Sequence, residues 1–101
     1  GKAVRNVKAQ FIAAREMEAD CERRAIRLMR ELAAPIDVDR YTRGANAYIH
    51  FYNVMPTCRK WFSKGNAPYN RPEVLALCNP TLDRYFSKTP PKLAKALLGC
   101  V

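Results

Sequence analysis

Nucleophiles and metal ligands are scarce in this 101-residue chain, which has four cysteines and one histidine. Cys21, Cys58, Cys78 and Cys100 never stand at the two- to four-residue spacing at which neighbouring thiolates share a zinc ion. A mixed site would have to gather ligands around His50 from distant segments, so no metal and no cofactor is expected. Cys58 with His50 is the one thiol–imidazole pair close enough in sequence to meet, across Pro56. Arg59 and Lys60 would help to hold a thiolate there. Trp61 and Phe62 follow at once, however, and a cysteine beside two large rings more often packs a core. Glu16, Glu18, Asp20 and Glu22 form a helical charge run, and Asp37 and Asp39 have the positions of helix caps. Neither a glycine-rich phosphate loop nor a serine elbow occurs. No catalytic residue is assigned, and the chain is expected not to be an enzyme.

The even cysteine count also admits a disulfide framework, with three pairings open. Free thiols in a reducing compartment fit better, because 49% hydrophobic residues can build a core without staples. A small secreted, disulfide-bonded helical protein stands as a further alternative.

Charge carries more information than any motif. Eighteen Lys and Arg against nine Asp and Glu leave a formal net charge of +9, which favours an anionic partner. Residues 1–15 hold four basic side chains and no acid, and residues 16–39 hold four bases against seven acids. Residues 40–101 hold ten bases against two acids. That last stretch interleaves cations with rings. Arg40 and Arg43 flank Tyr41, while Arg59, Lys60 and Lys64 surround Trp61 and Phe62. Arg71, Arg84, Lys88, Lys92 and Lys95 follow, with Tyr69, Tyr85 and Phe86 among them. Cations hold phosphates and rings stack on unpaired bases, so this set is the candidate nucleic-acid- or anion-binding surface, with single-stranded RNA as a fitting ligand. The same rings are needed to fill a small helical core, and no helix-turn-helix, RNA-recognition or zinc-finger pattern accompanies them.

Helices must place these residues. Residues 3–34 contain neither Gly nor Pro. Val4, Val7, Phe11, Ala14, Cys21, Ala25, Leu28 and Leu32 recur there at alternating three- and four-residue steps, as in a heptad seam. Glu18 interrupts the seam, and a flanking row of Ile12, Ala19, Ile26, Met29 and Ala33 widens it. Pro35 ends the helix. A second helix over 38–55, capped by Asp37 or Asp39, repeats the pattern through Val38, Tyr41, Ala45, Tyr48, Tyr52 and Met55. Gly44 is its weak point or a close crossing with the first helix, and Pro56 is its stop. Thr57, Asn70, Asn79-Pro80 and Thr89-Pro90-Pro91 then each announce a short helix. Nothing alternates with period two. The expectation is one all-α domain over 1–101: a long helical hairpin, about 3–34 and 38–55, packed by three or four short Pro-initiated helices.

At ~1.5 Å per residue the first helix is ~45 Å long, and its apolar flank exceeds what short companions can cover. The favoured function is a non-catalytic basic helical subunit or adaptor that docks on partner proteins in a larger assembly, mitochondrial or ribonucleoprotein. Val4, Val7, Phe11, Ile12, Tyr41, Tyr48 and Tyr52 are its expected interface. An RNA-binding module is the alternative, and contact with a membrane surface is a third option. No apolar run reaches the ~18 residues of a membrane-spanning helix. The first fifteen residues are basic, amphipathic and acid-poor, as mitochondrial targeting segments are, although they contain no serine. No basic stub leads into a short apolar block and cleavage site, so the expected location is intracellular.

Overall fold

The computed structural model describes the backbone of residues 2–101 and the side chains of residues 7–101. Among these residues all regular structure is helical: α1 (Lys2–Glu31), α2 (Val38–Cys58), a 3-10 turn (Pro68–Asn70), α3 (Pro72–Leu75) and α4 (Pro91–Leu98). The long hairpin is present. Its two arms run antiparallel, since Arg15 reaches Asn53 and Glu22 meets Tyr41. The three short segments each begin at a proline, whose fixed φ suits a first helical turn and whose missing N–H would have no partner there.

α1 closes before Pro35, on its own backbone. Ala33 adopts a left-handed conformation (φ 47°). Its N–H bonds the Arg30 carbonyl at 3.2 Å, and the Ala34 N–H reaches back to Met29 at 3.1 Å. This paired turn is the one that usually ends a helix on glycine; alanine there costs about 1 kcal/mol.

α2 starts as read, with the Asp37 side chain accepting the Arg40 N–H at 3.0 Å. Its end differs. The helix runs through Pro56 to Cys58, because a proline in the last turn forfeits only one backbone bond. Arg59 (φ 55°) then closes it, its N–H bonding the Met55 carbonyl at 2.7 Å. The short helix expected from Thr57 is therefore absent, and residues 59–67 are non-helical. Asn79-Pro80 starts no helix either; residues 76–90 are irregular. Neither Asn70 nor Thr89 caps its helix by side chain.

α2 is the central element and is buried on almost every side, as a helix covered by several neighbours must be. Ala47, Phe51 and Val54 meet Val74, Cys78, Leu93, Leu97 and Cys100 in the main core under α3 and α4. Ile49 meets Ala19 of α1 and Phe86 in a smaller cluster. At Gly44 an added Cβ would stand 3.1 Å from the Tyr69 Cβ. The close crossing is with the 3-10 turn, not with α1.

α1 turns inward a different line from the expected seam. Arg15, Ala19 and Ile26 are buried, whereas Val7, Leu28 and Leu32 of the seam are 50%, 54% and 69% exposed. Two adjacent apolar rows on one helix have similar hydrophobicity, so shape and polar partners choose between them. Ala19 is small enough to let Ile49 and Phe86 close in, and Arg15 donates to the side-chain Oδ1 of Asn53 at 2.9 Å. Val4 has its side chain outside the described residues.

Candidate functional site

Arg43, Asn46, His50 and Asn53 follow at three- and four-residue steps, so α2 carries them along one face. That face holds residues 75–89, whose irregular backbone has few partners of its own. Arg43 donates to the carbonyls of Cys78 (2.6 Å) and Leu75 (3.3 Å). The Asn46 amide donates to Asn79 and Thr81, both at 3.0 Å, and its oxygen accepts the Asp83 N–H at 2.9 Å. Asn53 donates to the Phe86 carbonyl (2.7 Å) and to Thr89 Oγ1 (2.8 Å). His50 joins the two ends: Nε2 lies 2.7 Å from Asp83 Oδ2 and Nδ1 lies 2.8 Å from Thr89 Oγ1. A carboxylate only accepts, so Nε2 donates to Asp83. The Thr89 hydroxyl accepts from Asn53 and pairs with Nδ1. No buried side-chain polar atom among the described residues lacks a partner.

Thr89, His50 and Asp83 stand in the order hydroxyl, imidazole, carboxylate that activates a nucleophile in hydrolases. Here the three groups tie residues 83–89 to α2. Asn53 holds the Thr89 oxygen, and Pro90 and Pro91 follow it without an N–H to stabilise an oxyanion. The Cys58–His50 pair does not form, since both ring nitrogens are engaged and the Cys58 thiol donates to the Lys60 carbonyl at 3.2 Å. All four cysteines are free thiols. Burial pushes Cys78 up to about 11, and burial likewise raises Cys100. Among the described residues, no group of three or more His, Cys, Asp or Glu is placed to hold a metal ion. Among the described residues no helix is long and apolar enough to cross a membrane.

The basic residues divide into two groups. Arg43 is engaged by the fold's own backbone, as is Arg71 at the surface, which donates to the Gly99 carbonyl at 2.9 Å and to Glu73 at 2.6 Å. Arg40, Arg59, Lys60, Lys64, Arg84, Lys88, Lys92 and Lys95 remain exposed. Arg84 lies over the Tyr85 ring, 5.4 Å from its centre. Of the tyrosines expected at an interface, Tyr48 sits within a ring cluster, 5.9 Å from Tyr52, 5.6 Å from Trp61 and 6.2 Å from Tyr69.

Of the grooves that open where the hairpin arms meet, two lie toward opposite ends of the pair. In the first, of about 600 Å³, Tyr41, Tyr48 and Tyr69 face Glu18, Glu22 and Asp37. The Tyr41 hydroxyl donates to Glu22 at 2.8 Å. Burial, and then that carboxylate, push the phenol up to about 12. In the second, of about 510 Å³, Val7 and Phe11 of α1 face Met55, Pro56 and Trp61, with Lys8, Arg59 and Lys60 on the rims. Ile12 is exposed beside it and Phe11 is half-buried.

No family model matches this chain, and neither a curated protein nor a solved structure does. The residues that sequence reasoning missed are Asn46, Asn53, Asp83 and Thr89. A signal was available for the first two: with His50 they put three polar side chains on one face of a mostly apolar helix.

Proposed function

We propose that this protein is a non-catalytic binding subunit that docks on a partner protein through the outer side of α1. The observation that carries this reading is a line of large apolar side chains left in water: Met17, Leu28 and Leu32 are 62%, 54% and 69% exposed. Ile36, just past the helix, is 46% exposed. Aligned apolar exposure of this kind is uncommon on a monomer and marks contact surfaces. Leu28 and Leu32 belong to the heptad-spaced row, which suits the groove or stripe of another helix. A role without catalysis agrees with a histidine and a hydroxyl that are both occupied in holding a loop.

The test is site-specific photo-crosslinking in cells that express the protein. A benzophenone side chain at position 28 should give discrete protein adducts that disappear when Met17→Lys and Leu32→Lys are added. Adducts no more abundant than those from the same probe at exposed Ser63 would reject the proposal. A second reading, single-stranded RNA, draws support from Tyr85, 71% exposed beneath Arg84. It requires oligonucleotide affinity to fall steeply between ~50 and ~200 mM salt, since each neutralised phosphate releases counterions.

A further inference from the structure

The groove between the start of α1 and the end of α2 has an apolar floor and a cationic rim. Val7 and Phe11 form one wall, Met55, Pro56 and Trp61 the other. Val7 is 50% and Trp61 37% exposed, so the floor is open to solvent. Lys8 stands on the α1 bank, and Arg59 and Lys60 stand opposite. No acid lines the groove, and among the described residues none of these three cations is in an ion pair. Arg59 is also held in left-handed backbone (φ 55°) where it joins the rim, a strained geometry for a residue with a side chain.

We infer that this groove binds a monomeric long-chain carboxylate, its hydrocarbon tail on the apolar floor and its headgroup between Lys8, Arg59 and Lys60. Burying the tail removes apolar surface from water on both sides. The carboxylate accepts charge-assisted hydrogen bonds from side chains that have no partner among the described residues. Size selects this ligand over larger anions. About 510 Å³ lies within the ~300–1,000 Å³ of small-molecule sites, whose walls are mostly apolar with a few polar groups. A protein partner covers ~20–30 residues a side, far more than line this groove. A nucleic acid would use the cations and the Trp61 ring but leave Val7, Met55 and Pro56 wet. The site shares no residue with the line of Met17, Leu28 and Leu32, so it stands independently of the docking reading.

Trp61 is the only tryptophan, so its emission reports on the groove. The full chain is titrated with dodecanoate below its micellar concentration, and in parallel with dodecanol and dodecyltrimethylammonium. Dodecanoate should give a saturable blue shift, with the other two binding at least about tenfold more weakly, a difference of about 1.4 kcal/mol. The triple variant Lys8→Gln, Arg59→Gln, Lys60→Gln should lose dodecanoate affinity about tenfold while keeping its helical circular dichroism and its weak dodecanol binding. Leu28→Lys should bind dodecanoate unchanged, which separates this site from the docking surface. Equal affinity for the three amphiphiles, the absence of a saturable shift, or a response only to anionic phospholipid vesicles would each overturn the inference.

Discussion

The two sides of α2 are closed by different physics. Toward α3 and α4, Phe51 and Val54 press on Val74, Leu93 and Leu97, and the contact is non-directional burial. Toward residues 75–89, Arg43, Asn46, His50 and Asn53 hold an irregular segment by aimed hydrogen bonds. Burial tolerates rearrangement of shape, whereas a buried polar network fails as soon as one partner is missing. The apolar side should therefore set the global stability, and the polar side should set the conformation of one loop.

The largest effect expected is from Phe51→Ala, a loss of about 3–5 kcal/mol in chemical denaturation; a loss below about 1 kcal/mol would mean that the core lies elsewhere. His50→Ala should cost less, about 2–3 kcal/mol, because it strands Asp83 and Thr89 partly buried. Its signature should also be local: faster amide exchange across residues 79–89, with α3 and α4 still protected. Uniform exchange throughout the chain would erase the distinction between the two sides.

Thiol chemistry sharpens the same contrast. Cys78 and Cys100 lie in the apolar core, and burial raises both thiols, so iodoacetamide near pH 8 should label exposed Cys21 first, Cys58 next and these two last. Tyr41 tests the acidic groove. Its phenol is pushed above the ordinary value of 10.0 to about 12. The protonated form is thus favoured by folding, and that stabilisation is complete below pH 10 and disappears as pH rises through 12. Melting temperature should fall across that window, and Tyr41→Phe should flatten the slope. The smallest effect should be a gain: Ala33→Gly relieves the left-handed strain at the end of α1 by about 1 kcal/mol, read as a raised denaturation midpoint.

The grooves repeat the lesson. The same two helices make one lined by tyrosines and carboxylates and another lined by apolar groups and cations. The charge segregation behind this was legible, since residues 1–15 carry no acid and residues 16–39 carry seven. The pairing was not. Val7 and Lys8 meet Trp61 only because the hairpin brings the start of α1 to the end of α2.

Sequence alone determined what one or two turns of chain can settle. The unbroken first helix, a cap at Asp37 or Asp39 and the helices starting at Pro72 and Pro91 all follow from spacings of four residues or fewer. Tertiary structure decided which apolar row of α1 faces inward, that α2 continues through Pro56, and that residues 79–89 stay irregular. Each of these rests on partners far apart in the chain, Arg15 with Asn53 or His50 with Asp83. A hydrogen bond between such residues has no local signature, because its free energy appears only once the rest of the fold has excluded water from it.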